Sequence, residues 1–135
     1  MKTSPKMQAV IEQLARQHGL DLSQAEAHLR LTMPNFDRLV IENIGFQCIS
    51  VAHYFEMNGD LIADPDVVFF TGYGEWAPIE ITQVLAGHRR YAELGDAGHR
   101  IVRFDLRGQA DLAVFAEQWA KNIRDQGWLE RARAG

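Results

Sequence analysis

The sequence predicts an α+β fold: an antiparallel meander of four to five strands covered by an N-terminal helical hairpin and a C-terminal helix. Three observations carry this. Apolar residues recur at helical spacing near both ends, they alternate with polar residues between 36 and 84, and Asn58-Gly59 sits between two strand-like runs, 49–54 and 67–70. Asn-Gly suits a tight hairpin because both residues tolerate the positive φ that such a turn requires.

Taken in order, Ser4-Pro5 has the form of an N-cap followed by a first helical residue, where the missing proline N–H costs nothing. Met7, Val10, Ile11 and Leu14 then share one helix face, and Gly19 supplies a stop. Ser23-Gln24-Ala25-Glu26 matches a capping box, which predicts a second helix to about Leu31, ended by Pro34 and completing a hairpin over 5–32. Strands are expected near 37–44, 48–56, 66–71 and 77–83. Leu39 and Ile41 oppose Arg38 and Glu42 in the first, while Ile49, Val51, His53 and Phe55 face inward in the second and Ser50, Ala52 and Tyr54 outward. Asp64-Pro65 is read as a break, Val67 to Phe70 as a central strand, and 101–104 as a fifth strand. The last helix, 108–126, carries a stripe of Leu112, Phe115, Ala116, Trp119 and Ile123. Gly127 ends it and Trp128 folds back on its final turn.

The 135 residues fit a single domain, 1–135, able to bury about two thirds of its unfolded surface without a staple. The one cysteine, Cys48, excludes an internal disulfide and any multi-cysteine metal site, which suits a reducing cytoplasm. Polar residues interrupt the early apolar run, so no signal peptide is expected, and no stretch reaches the roughly 18 apolar residues of a membrane span. Net charge is −4, concentrated in the middle: residues 37–80 carry eight acidic side chains against Arg38 alone. That field opposes nonspecific nucleic-acid binding and suits a basic protein partner.

Chemistry-bearing residues crowd the segment from His53 to Asp66. Asp60, Asp64 and Asp66 offer hard oxygen ligands, yet their spacing is not that of a calcium loop, and aspartate is commonest in turns for its own hydrogen bonds. His53 is a candidate base or ligand; the plainer expectation is a packed, hydrogen-bonded histidine. Cys48 has no activating neighbour in sequence. Nucleophile triplets, phosphate-cradling glycine loops and paired-histidine helices are missing. The candidate binding surface is therefore His53, Tyr54, Glu56, Asn58, Asp60, Asp64, Asp66, Tyr73 and Trp76, with exposed aromatics as interface anchors and no cofactor expected.

The segments 36–42, 49–54, Asn58-Gly59-Asp60, Asp64-Pro65-Asp66 and 119–127 together resemble a family of small bacterial proteins of unknown function, often encoded on plasmids, integrated conjugative elements and phages. The resemblance covers roughly 36–128 and implies a mobile-element accessory protein without an established activity. A non-enzymatic protein-binding module is the function expected. The alternatives are a metal-dependent hydrolase or nuclease built on His53, Glu56, Asp60, Asp64 and Asp66, and DNA binding through the N-terminal helical hairpin.

Overall fold

The computed structural model describes all residues from Met1 to Gly135. Helix α1 (Pro5–Gln17) opens with proline at its first turn and buries Met7, Val10, Ile11, Leu14 and Ala15. The chain then builds β1 (His28–Thr32), β2 (Arg38–Gly45), β3 (Cys48–Met57), β4 (Asp60–Phe70), β5 (Ala77–Gln83) and β6 (Gly87–Arg90), each antiparallel to the one before. A hairpin of β7 (Ala92–Gly95) and β8 (Arg100–Phe104) leads into α2 (Leu106–Gln126), the short α3 (Trp128–Arg131) and β9 (Arg133–Ala134), which returns to pair with β1. The main sheet has seven strands in the order β6-β5-β4-β3-β2-β1-β9.

Strand alternation divides this sheet into two different faces. Leu31, Leu39, Ile41, Ile49, Val51, Val67, Phe69 and Ile81 point one way and join the apolar stripes of α1 and α2 in a single core cluster of 21 residues. The opposite face has no helix over it. At one end the β7–β8 hairpin folds across, seating Ala92, Leu94 and Ile101 against Cys48, Phe70 and Ile79. The rest of that face is uncovered.

Polar contacts fix how the two helices sit. Ser4 makes no side-chain cap, and its buried hydroxyl is unpartnered; its N–H donates to the Trp76 carbonyl at 2.8 Å. The N-terminus of α1 is capped instead from α2, where the Glu117 carboxylate accepts from the N–H of Lys6 at 3.0 Å and of Met7 at 3.2 Å. This satisfies two orphan donors and places a negative charge at the positive end of the helix. Gln109, fully buried on α2, accepts from the Lys2 N–H and donates to the carbonyls of Lys2 and Pro78, tying the N-terminal arm to β5. At the far end Gly127, at φ 91°, ends α2 in the left-handed conformation that glycine adopts without penalty. Trp128 then turns back into the core, fully buried, 5.7 Å from the His53 ring.

Several expectations are corrected. The second half of the expected 5–32 hairpin is not a helix. Ser23 donates both its N–H and its hydroxyl to Asp21, Glu26 takes φ 61°, and His28–Thr32 is a strand. The local Asx turn outcompetes the capping box, and β1 is held between its hairpin neighbour β2 and β9 from the far end of the chain. With it goes the second helix on which the DNA-binding alternative depended. The sheet extends well beyond 36–84, and 101–104 is indeed strand but pairs with β7 in a separate two-stranded sheet. Asp64-Pro65 does not interrupt β4. Pairing with β5 begins only at Asp66, so Pro65 lies where no neighbour on that side needs its N–H, and a register shift opposite Ala52 and Tyr54 absorbs the irregularity. Asn58-Gly59 does form the hairpin turn, at φ 53° and 84°.

Because Trp128 closes the core between α2 and the sheet, Trp128→Ala should cost about 3–5 kcal/mol in urea unfolding. A loss below about 1 kcal/mol would show that the C-terminal turn is peripheral to the fold.

Candidate binding face

The uncovered face carries two cross-strand rows. One runs His28–Glu42–Ser50–Val68–Glu80–Arg90, one residue from each of β1 to β6 in direct register. The neighbouring row runs Arg30–Val40–Ala52–Asp66–Thr82–His88. Three carboxylates, Glu42 on β2, Asp66 on β4 and Glu80 on β5, thus stand on one face, with imidazoles and guanidinia at the two ends. His88 Nε2 lies 2.8 Å from Glu80 Oε1, Arg90 Nε 3.7 Å from Glu80 Oε2, and His28 Nε2 3.8 Å from Glu42 Oε1.

Asp66 differs from its neighbours. It is half-buried, accepts a 2.6 Å hydrogen bond from the Ser50 hydroxyl, and pairs with no cation. Burial holds its carboxyl above the usual carboxylate value; the Ser50 bond pulls the other way, the charges of Glu42 and Glu80 push it higher again, and His88 draws it down slightly. Tyr54, on the same face, is likewise raised by burial and then by Asp66 and Glu42. Both shifts describe a partly desolvated site in which negative charge exceeds the compensation that His88 supplies.

The expected surface residues do not form one patch. Tyr54, Glu56 and Asp66 belong to the uncovered face, where Glu56 pairs with Arg38 at 3.6 Å. Asn58 and Asp60 sit exposed at the β3–β4 turn, and Asp64 is half-buried beside Pro65. Tyr73 is exposed, with its hydroxyl accepting from the Ile101 N–H. Trp76 is in the core against Phe69, so it is not an interface anchor. His53 is on the helix side, its ring 5.5 Å from Trp119, and its Nδ1 faces the carbonyls of Asp37 and Arg38. Two carbonyls can only accept, so Nδ1 carries the proton and the imidazole is spent on packing and structure. His53 and Asp66 therefore lie on opposite faces of the sheet, and no group of three or more His, Cys, Asp or Glu side chains is placed to hold a metal ion. Cys48 is buried at the edge of the β7–β8 cluster, and burial together with Glu80 pushes its thiol up to about 11, away from thiolate chemistry.

Residues 8–129 match a family described as a domain of unknown function, DUF6908. The chain belongs to this family. No curated protein and no solved structure matches it. No helix of this DUF6908 chain is long and apolar enough to cross a membrane.

Glu42, Ser50, Glu80, His88 and Arg90 are the site residues that sequence reasoning passed over. The signal for the first three was the alternation itself, which turns them away from the core; what it lacked was the register that aligns them across strands.

Two pH dependences follow, with opposite signs. The raised carboxyl of Asp66 means that the folded chain holds this proton more tightly than the unfolded chain does. Its contribution to stability therefore falls as pH rises from 3.8 through the raised value. Asp66→Asn, which can still accept from Ser50, should melt higher than wild type at pH 7, and the gain should vanish as pH approaches 3.8. A lower melting temperature at pH 7 would show that the charge is already compensated.

His53 is lowered from 6.5 chiefly by burial, against its bonds to Asp37 and Arg38, so the unfolded chain takes up the extra proton. Stability from this group is full above 6.5 and is lost as pH falls from there through the lowered value. Chemical denaturation of wild type and His53→Phe across that range should give a stability difference that shifts in favour of the variant with acidification; a constant difference would refute the assignment.

Proposed function

We propose that the chain is a non-enzymatic protein-binding module whose uncovered sheet face receives a basic segment of a partner protein. The observation that supports this best is Asp66: a half-buried carboxylate on an open face, bonded only to a neutral hydroxyl and flanked by two further carboxylates. A lysine or arginine brought alongside would supply the missing countercharge, and the partly desolvated setting would make that pairing stronger than at an open surface. Ser50 donates its hydroxyl hydrogen bond to Asp66, and neither imidazole of the two rows bonds to that hydroxyl, so it is not set up as an activated nucleophile. The partner we have in view is a host or mobile-element protein, in keeping with the plasmid, conjugative-element and phage setting that the resemblance implies and with a cytoplasmic location.

Affinity capture from a bacterial lysate, comparing wild type with Glu42→Gln/Asp66→Asn/Glu80→Gln, tests the reading. Wild type should retain a specific partner at about 50 mM salt and release it at about 500 mM, as an electrostatic contact demands. The triple variant should hold that partner at least about tenfold more weakly, a difference of roughly 1.4 kcal/mol. A partner retained equally by the triple variant, or binding insensitive to salt, would move the interface away from this face.

A further inference from the structure

The uncovered face ends in a cavity of about 330 Å³ beneath the β7–β8 hairpin. Its apolar lining includes Ile44, Phe46, Val68, Ile79 and Leu94, and Glu80 and Arg90 stand at its charged side. Val68 and Glu80 are also members of the cross-strand row, so cavity and acidic face are continuous.

The wall is held in place by an interlock of two turns. Phe46 and Gln47 take φ 53° and 58° in the β2–β3 turn, and Asp96 and Ala97 take 53° and 55° in the turn after β7. The Gln47 side-chain amide donates to the Gly98 carbonyl at 2.8 Å, and a Cβ on Gly98 would stand 2.7 Å from that of Phe46. The Gln47 carbonyl in turn accepts from the N–H and the hydroxyl of Thr71 at the end of β4. Non-glycine residues at positive φ persist only where their surroundings over-determine them. Here those surroundings hold Phe46 at the cavity rim with its ring largely exposed.

At this size the cavity is at the lower end of ligand pockets, suited to one large side chain. Resting on the reading of the acidic face above, we infer that it takes the aromatic or long aliphatic side chain of the same basic segment. The recognised element is then a lysine or arginine next to a large apolar residue: the cation lies along Glu42, Asp66 and Glu80, and the apolar group enters between Phe46, Val68 and Leu94. An aromatic ring there would also meet the Arg90 guanidinium, a favourable cation–π pairing.

Calorimetric titration of the full chain with end-blocked Arg-Trp-Arg and Arg-Ala-Arg peptides tests this. Burying the indole should make the first peptide about tenfold or more tighter. That advantage should disappear in Ile44→Gln/Leu94→Gln, which replaces two apolar linings, while affinity for Arg-Ala-Arg stays the same. Hydrogen exchange on wild type gives a second readout that needs no variant: Arg-Trp-Arg should slow amides in 46–48 and 94–98, and Arg-Ala-Arg should not. Equal affinity for the two peptides, or no added protection at those amides, overturns the cavity and leaves the acidic face standing. Failure of both basic peptides to bind overturns the face and the cavity with it.

Discussion

One-sided burial is the constraint from which the rest of this structure follows. A seven-stranded antiparallel sheet has two faces, and the chain supplies only two long helices, both tied to the same one. The tie is specific. Glu117 of α2 caps α1, and Gln109 of α2 clasps the N-terminal arm and β5, so the helices dock as a pair. A buried glutamine whose oxygen and nitrogen all find partners, and a helix terminus satisfied from its neighbour, leave little freedom for α1 to slide without stranding polar groups. The second face must then be made compatible with water. The β7–β8 hairpin covers the apolar end around Phe70 and Ile79, and in the remainder polar and charged side chains surround the small buried apolar residues Val40 and Ala52.

The acidic face is thus partly a consequence of architecture, but architecture alone does not explain Asp66. A face that needed only to be wet would favour exposed, mutually compensated charges. Glu80 is half-buried but compensated, with His88 and Arg90 beside it. Asp66 is half-buried, has no cation in direct contact and sits in the field of two other carboxylates, which His88 offsets only in part. Such a group lowers stability above its pKa, and its position in a sheet face left open by the fold places that cost where an incoming cation could offset it. His53, by contrast, is lowered by burial on the helix side and spends Nδ1 on two carbonyls, a structural use.

The legible parts of the fold were those in which local preference and tertiary demand agree. The α1 stripe, the α2 stripe with Trp119 buried, the Gly127 stop, the inward turn of Trp128 and the Asn58-Gly59 hairpin all use residues that favour the observed conformation before any contact is made. The misread segment was 23–32. There a short capping-box pattern competed with the Asp21 turn, with the hairpin pairing to β2 and with the long-range pairing to β9, and the pairings prevailed. Strands β6 and β7 lacked an apolar alternation of their own, because both lie at sheet edges and are held by β5 and β8.

For the site, the face of each strand was readable but the register was not. Ser50 and Tyr54 were placed outward correctly by alternation, and the same rule turned Glu42 and Glu80 outward on their own strands. Each looked like an ordinary solvated residue in isolation. Register converts them into a row, since antiparallel partners stand a few ångströms apart and the spacing between strands is fixed near 4.8 Å. The segment from His53 to Asp66 misled for the same reason in reverse: its acidic and imidazole groups are neighbours in sequence, but alternation and the turn send them to two faces and a loop tip. Proximity along a strand separates side chains, whereas proximity across strands gathers them, so the chemistry of a sheet face is carried by residues that the sequence keeps far apart.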